Sequence, residues 1–477
     1  MASHSETNPG VMVNIHESTP LLATEQVEGQ GQDSQYNVQP TSAHQSTSIL
    51  ALVCTLLMLI DISGFLGMAP QMQIFEDIIC QNYYATGNRT SLHDCKTEPV
   101  QSELAIIQAY KDTFDQLPGI LFGVVYGLLA DRVGRRPILL CDAWPGTEWT
   151  MGKNRLATSF FYFSAVVLTA EIVATPISGI TMAGNPWIPF LASSGVEFLA
   201  VVVAIFFAPE TLHFGRLKSM DAIHSSLNNN ENTTTKEQPL LKTVMVKVSH
   251  SLELFKESTN FLLSSLNVSL LLLVFFVATL SRQAMALLLQ YATKKYHWSY
   301  SRATILVSVR GAVNLVDVLI ILPVISRLML YRMKLNGPTK DLWLSRGMAF
   351  LLTIGMLLMF FAPVPAILIA GLVAVALGSP LHLTARSSLT SLILPNQVGV
   401  LYTSLAVVQS VGILMAGPLL ANTFRWGMKL GNTWLGLPFL AASVMYLLAF
   451  LLISGVNLSR RPQIHSLQED NGRNEEH

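Results

Sequence analysis

The chain has 477 residues, of which 51% are hydrophobic and 13% are charged, with a formal net charge of zero and a mean hydropathy of +0.44. About a quarter of the residues of a soluble domain are normally charged, so this composition excludes a water-soluble globular protein. The balanced charge offers no basic groove for a nucleic acid. We therefore expect an all-α polytopic membrane protein whose helices cross a lipid bilayer.

The first segment, residues 1–47, is rich in Ser, Gln, Thr and Glu and contains no Lys or Arg. This composition predicts a disordered tail, which we assign to the cytosol. No basic region precedes a short apolar core near Met1, so a cleaved secretory signal is not expected. The first membrane span, at about 48–68, should itself direct insertion.

A loop at about 69–116 is predicted to join the first span to a second span near 117–130. The loop contains Cys80, Cys95 and the glycosylation sequon that begins at Asn88. Two cysteines that flank a glycosylation site suit an oxidising extracellular or lumenal face, where they can form a disulfide. A pair of free thiols with an unmodified Asn88 is the alternative.

A basic string, Gly-x-x-x-Asp-Arg-x-Gly-Arg-Arg, follows the apolar part of the second span. Its arginines place the turn on the cytosolic side by the positive-inside rule. The first glycine permits a neighbouring helix to approach closely, and the aspartate can cap or pair with a helix end. The residues of this signature loop are Gly127, Asp131, Arg132, Gly134, Arg135 and Arg136.

This string resembles the loop between the second and third spans of the major facilitator superfamily of transporters. Residues 155–182 resemble the fifth span of fungal members, with a reduced Pro-Gly element at Pro176 and Gly179. Residues 185–212 resemble the sixth span and end in Ala-Pro-Glu-Thr-Leu. The resemblance covers about residues 48–458 and implies two helical bundles that rock about a central solute site.

The junction near 137–155 is too short for the third and fourth spans that the resemblance implies. A helical hairpin there needs on the order of 50 residues, because each span takes about 20. Charged residues and a proline also interrupt the segment. We therefore predict an incomplete N-terminal bundle at 48–212 and about ten of the usual twelve membrane helices. Loss of a hairpin preserves the orientation of the later spans.

A polar segment at 213–260 predicts a cytosolic linker between the two bundles. A complete C-terminal six-helix bundle is expected at 261–457, followed by a cytosolic tail at 458–477. The six predicted spans are at about 261–290, 301–328, 346–362, 364–385, 398–424 and 434–455.

The distribution of positive charge in this half is not uniform. Arg327 and Arg332 follow the second of these spans and mark a cytosolic loop. Lys294, Lys295 and Arg302 contradict the scheme, because they flank a short loop that should face outward.

Charged residues within spans are the candidates for the transport site, since a charge inside a bilayer is costly. Arg310 and Asp317 are seven residues apart and so share a helix face that can line a solute path. The alternative for this pair is a structural ion pair with neighbouring helices. Glu171 lies on a span that the resemblance assigns to the cavity, where it can bind protons or substrate. For Asp61 the same role competes with an ordinary interhelical hydrogen bond.

Other residues are candidates for gating or for a hinge. Pro176 and Gly179 form one such element, and Gly417 with Pro418 forms another, in which close packing is the first interpretation and bending the second. His382 and Arg386 are four residues apart on one helix face. They can serve gating or act as a simple positive-inside anchor.

The sequence contains no metal-ligand spacing, nucleophile elbow, phosphate-binding loop or dinucleotide fingerprint. We therefore expect neither an enzyme nor a cofactor or metal. The predicted function is secondary active transport of a small organic solute, coupled to protons, by a monomer in the plasma membrane or in a vacuolar or endosomal membrane. The alternative is a non-transporting membrane protein, either an inactive isoform or a sensor, because the helical hairpin is missing.

Overall fold

The computed structural model describes residues 43–86, 94–133, 156–207, 265–393 and 398–456. Within these ranges the chain is helical and contains no strand, as expected where lipid cannot satisfy backbone hydrogen bonds. Several predictions fall outside the described residues. They concern the two tails, Asn88, the junction near 137–155, the linker and the last three signature residues, Gly134, Arg135 and Arg136.

Four helices of the described residues precede the linker. They are α1 (Ala43–Thr86), α2 (Glu98–Val133), α3 (Leu156–Met182) and α4 (Trp187–Phe207). The remaining signature residues, Gly127, Asp131 and Arg132, lie within the backbone helix of α2.

Nine helices follow the linker, and they combine into six membrane spans. The helices are α5 (Leu266–Arg282), α6 (Leu288–Tyr296), α7 (Tyr300–Val316), α8 (Leu322–Arg332), α9 (Gly337–Phe361), α10 (Pro365–Gly378), α11 (Leu381–Thr390), α12 (Val398–Leu430) and α13 (Leu437–Gly455). A 3₁₀ segment, Gln283–Leu287, joins α5 to α6, and a π-helical segment, Asp317–Ile321, joins α7 to α8.

Nine segments of the described chain are long and apolar enough to cross a membrane. Together with α2, they give the ten membrane helices that the sequence predicts. The third span of the C-terminal half begins at Gly337 rather than near 346. Its helix starts at a proline in the first turn, where the missing N–H costs nothing, and continues through the charged residues that follow.

The predicted loop at 69–116 is wrong, because the structure continues both helices and leaves only residues 87–97 between them. Ile79 and Tyr84 of α1 pack against Val100 and Leu104 of α2 in a small separate core. A disulfide joins Cys80 of α1 to Cys95 just before α2. We call this unit the outer hairpin, after the predicted orientation. Its buried apolar face stabilises helices in a segment whose charged residues suggest a loop.

In the described part of the chain, the most extensive contacts between the two halves are made by two helix pairs, α3 with α7 and α2 with α12. A Cβ atom added to Gly179 of α3 would lie 3.0 Å from the carbonyl oxygen of Ser301. At the other pair, a Cβ atom on Gly417 of α12 would lie 2.9 Å from the carbonyl oxygen of Ala109. Two of the predicted hinge glycines therefore lie at close contacts between the halves. Pro176 and Pro418 lie inside α3 and α12.

Close backbone approach also holds the C-terminal half together. A Cβ atom on Gly355 of α9 would lie 2.9 Å from the carbonyl oxygen of Gly371 of α10, and the reverse distance is 2.8 Å. Any side chain at either position would push the two helices apart. Tyr291 adds a hydrogen bond of 3.0 Å from its hydroxyl to the carbonyl oxygen of Met359.

We predict that Gly355→Ala destabilises the detergent-solubilised protein by about 1–3 kcal/mol, the usual cost of overpacking. The matched control is Gly347→Ala on the same helix, where nothing lies within 4 Å of the added Cβ. That substitution should leave the melting temperature unchanged or raise it, because Ala favours helix. Equal melting temperatures for the two variants would contradict the contact.

Candidate transport site

An ion pair joins the two halves through α3 and α7. Arg310 donates from Nη2 and from Nε to Oε1 of Glu171, over 2.6 Å and 3.1 Å. The Glu171 side chain is 5% exposed and that of Arg310 is 29% exposed. Charge-assisted hydrogen bonds of this length are roughly twice as strong as neutral ones. Gly311 fits beside the carboxylate, since a Cβ atom there would lie 3.1 Å from Cγ of Glu171.

Hydroxyl groups extend this contact along both helices. The hydroxyls of Thr175 and Ser308 lie 2.7 Å apart, and Thr175 also donates to the carbonyl oxygen of Glu171. Ser301 donates to the carbonyl oxygen of Gly179 over 2.6 Å. Because positions four apart share a helix face, these groups form one polar row between α3 and α7 that continues from the ion pair.

The predicted polar face of Arg310 and Asp317 is not a single stripe. Arg310 bonds to Glu171 of α3, whereas Asn314 accepts a hydrogen bond of 2.6 Å from Ser379, next to α10. Asp317 is buried at the start of the π-helical segment, and its Oδ2 has no hydrogen-bond partner. The wider π turn interrupts the α-helical register on which the seven-residue spacing relied. Arg310 therefore forms an ion pair with a neighbouring helix, which is the alternative that the sequence left open.

The Asp61 side chain is partly buried in α1, and its Oδ2 has no hydrogen-bond partner. Serines, rather than this carboxylate oxygen, join α1 to its neighbours. Ser63 donates to the carbonyl oxygen of Ser193 in α4 over 2.9 Å, and Ser178 of α3 donates to that of Leu66 over 2.7 Å.

A second polar cluster, centred on Glu76, was missed by the sequence analysis because it lies in the supposed loop. The Glu76 carboxylate is buried in the outer hairpin. Its Oε2 accepts hydrogen bonds from Lys96 Nζ, Gln101 Nε2 and the hydroxyl of Tyr300, over 2.8, 2.8 and 2.7 Å. Tyr300 begins α7, so one carboxylate connects the outer hairpin to the other half. The apolar residues around Glu76 recur at a helical spacing, and this pattern could have predicted that the helix continues through Glu76.

The cluster continues into the span formed by α5 and α6. Gln290 donates from Nε2 to the carbonyl oxygen of Gln101 over 2.7 Å, and Lys294 donates to the carbonyl oxygen of Lys96. We call these contacts, with those of Glu76, the outer network. All of its polar partners lie at the end of the molecule that carries the disulfide.

The positive residues that contradicted the predicted orientation have local partners. Lys294 belongs to the outer network, Lys295 donates to the hydroxyl of Tyr291 over 2.7 Å, and Arg302 lies 4.7 Å from the ring centroid of Trp298. Packing accounts for these three charges, so they do not indicate a cytosolic loop.

Comparisons with known proteins agree with this architecture. No family model matches the chain. The chain is 31% identical to the efflux pump ustT of Aspergillus flavus, over 86% of this chain and 89% of that protein. It is 27% identical to the MFS-type transporter avaK of Aspergillus versicolor, over 90% and 96%. The solved structure of a D-xylose-proton symporter matches 87% of this chain and 98% of its own, with 13% identity and a TM-score of 0.53.

Membrane helices in two halves, together with relatives that are named an efflux pump and a transporter, identify a multi-pass membrane transport protein rather than an enzyme. A relative that is 31% identical over most of both chains identifies the family as well as the class of protein. The chain belongs to the major facilitator superfamily.

The alignment with the efflux pump contains positions that this chain lacks. It is 466 positions long, whereas 86% of the 477 residues of this chain is about 410, so more than 50 aligned positions have no counterpart here.

We predict that Arg310→Gln lowers the free energy of unfolding by up to about 3 kcal/mol, because it leaves a buried carboxylate without its partner. This value is discounted for the partial exposure of Arg310. The double variant Arg310→Gln with Glu171→Gln should recover part of the loss. Thermal melting in detergent measures all three proteins.

The control for this cycle is Lys111→Gln, which removes a more exposed pairing of Lys111 with Asp112 and Asp115 on α2. It should change stability by less than about 1 kcal/mol. Strictly additive effects of Arg310→Gln and Glu171→Gln would mean that the two side chains are not coupled.

Proposed function

We propose that the chain exports a small organic solute by proton-coupled alternating access, and that Glu171 binds the coupling proton. The observation that carries this proposal is the contact of a buried carboxylate in one half with an arginine in the other. A carboxylate at such a place changes the attraction between the halves when it gains or loses a proton.

The proposed step follows from elementary electrostatics. The ionised carboxylate of Glu171 attracts Arg310 and holds α3 against α7. A proton on Glu171 removes the negative charge and leaves only a weaker, neutral hydrogen bond. The two halves then separate at lower cost, so that the proton shifts the population between two states of the transporter.

In this proposal, the outer network controls the step in which the transporter opens toward the outside. Its contacts close the end of the molecule that carries the disulfide, where Tyr300 and Gln290 of one half meet Glu76 and Gln101 of the other. Opening toward the outside requires that these bonds break. Asp61 and Asp317, whose buried oxygens lack hydrogen-bond partners, are further candidates for proton binding.

Export, rather than import, is supported by the relative that is named an efflux pump. The ten-span form follows from the sequence, in which the junction near 137–155 is too short for two membrane spans. The contacts between the halves come from α1, α2 and α3, all of which this chain retains. We assign the protein as a monomer to the plasma membrane or to a vacuolar or endosomal membrane.

The test is transport into proteoliposomes with an imposed proton gradient. Three probes of the same shape cover the possible charges of the solute: 1-naphthoate, 1-naphthamide and 1-naphthylmethylamine. We predict that Glu171→Gln abolishes gradient-driven accumulation of whichever probe the native protein moves. Exchange of that probe without a gradient should persist, because glutamine resembles the protonated acid.

The matched control is Glu197→Gln, which changes an exposed carboxylate on α4 in the same half. This variant should transport as the native protein does. Gradient-driven accumulation that survives in Glu171→Gln would refute the role of this residue, and a native protein that moves none of the probes would count against transport altogether.

A further inference from the structure

We infer that the C-terminal half contains a binding site for an anionic group, formed by Arg282, His382 and Arg386, and that the transported solute therefore carries an acid. The second part of this inference rests on the proposed function, whereas the binding site itself does not. We call these three residues the basic cluster.

The basic cluster gathers residues from different helices. Arg282 ends α5 in the middle of the span Leu266–Tyr296, while His382 and Arg386 lie one turn apart on α11. The His382 ring is 5.9 Å from that of Phe275 of α5, so the two helices adjoin at this point. Arg282 lies seven residues, two helical turns, after Phe275 on α5 and so shares the helix face that meets His382, with its side chain exposed.

No carboxylate neutralises this cluster in the part of the chain that the structure describes. Neither Arg282 nor Arg386 takes part in any of the salt bridges found there. Among the described residues, Nδ1 of His382 and Nε of Arg386 are buried without a hydrogen-bond partner. A buried polar atom left unpaired is destabilising, and charges within a span add to that cost. A bound anion would offset both.

Other cations of the same half are treated differently. Arg310 pairs with Glu171, and Lys340 pairs with Asp341 over 2.9 Å. Arg346 donates to the carbonyl oxygens of Ser454 and Val456, over 3.2 Å and 3.1 Å. These three cations have acceptors, whereas no salt bridge within the described residues reaches Arg282 or Arg386, as expected if a ligand supplies the acceptors.

The positive-inside anchor is a poorer account of these residues. An anchor requires a charge at a helix end near the membrane surface, and only Arg386, close to the end of α11, meets that requirement. Arg282 lies in mid-span, and His382 packs against the buried Phe275. Position therefore favours a site within the membrane over an anchor at its surface.

The surroundings suit an acid attached to an apolar or aromatic body. The guanidinium of Arg386 lies 5.6 Å from the ring centroid of Tyr402, which orients a planar fork that can bind a carboxylate through two nitrogens. Thr279, one turn before Arg282 on α5, lies against Gly412 of α12, and its buried hydroxyl has no partner among the described residues. Together these groups provide charge, donors and an aromatic wall.

The experiment is calorimetric binding to the full chain in detergent, without a proton gradient. The probes are 1-naphthoate, phthalate and decanoate, each compared with its neutral amide. We expect at least one acid to bind about tenfold or more tightly than its amide, a difference equivalent to one charge-assisted hydrogen bond. Equal affinities of acids and amides, or no binding of any of the three acids, would overturn the inference.

Two variants test whether the basic cluster is the site. Arg282→Gln and Arg386→Gln should each weaken binding of the preferred acid by about tenfold, whereas Arg282→Lys should retain part of the affinity. Arg302→Gln, which changes an arginine stacked on Trp298 at the outer end, is the control and should bind normally. Unchanged affinity in folded Arg282→Gln and Arg386→Gln would place the anion elsewhere. If these variants do not fold, the comparison of acids with amides still decides.

The outcome is separable from that of the proposed function. Acid binding combined with gradient-driven transport that survives in Glu171→Gln would retain the anion site and reject the proton-coupling role. Gradient-driven transport of an amide, with no acid bound, would retain proton-coupled transport and reject the anion site.

Discussion

The joining of the two halves depends on partners for two buried carboxylates, Glu171 and Glu76. A carboxylate in lipid requires a partner, and in this chain two carboxylates of the N-terminal half find partners in the C-terminal half: Glu171 with Arg310, and Glu76 with Tyr300. The halves are thus joined by polar contacts that can exchange one partner for another. Apolar packing alone offers no such alternative, because lipid solvates apolar side chains equally well on both sides of an opening.

Small residues allow these polar contacts to form. Gly311 leaves room for the Glu171 carboxylate beside Arg310, while Gly179 and Gly417 bring the backbones of facing helices close together at the two contacts between halves. At these glycines the backbones of the facing helices approach without a side chain between them. The ion pair lies on the same two helices as the contact of Gly179 with Ser301.

Sequence reasoning identified the spans, since a long apolar run has no other stable structure in lipid. It identified Glu171 and Arg310 individually, but not as partners, because the two are 139 positions apart and only the packing of α3 on α7 brings them together. It failed at Glu76, where acidic residues and a sequon suggested a loop. The compensating burial of Ile79, Val100 and Leu104 depends on contact between two helices, and no local pattern reveals it.

The covalent link in the outer hairpin makes the two faces of the outer end unequal in stiffness. Cys95 is bonded to Cys80 and is followed directly by Lys96, which holds Glu76. The two helices of the outer hairpin are therefore held together by a disulfide and an ion pair. The opposite face consists of the ends of α6 and α7. The bonds that join this end to the C-terminal half run through Tyr300 and Gln290. Because Lys96 directly follows a disulfide-bonded cysteine, an oxidising environment also fixes the position from which Lys96 reaches Glu76.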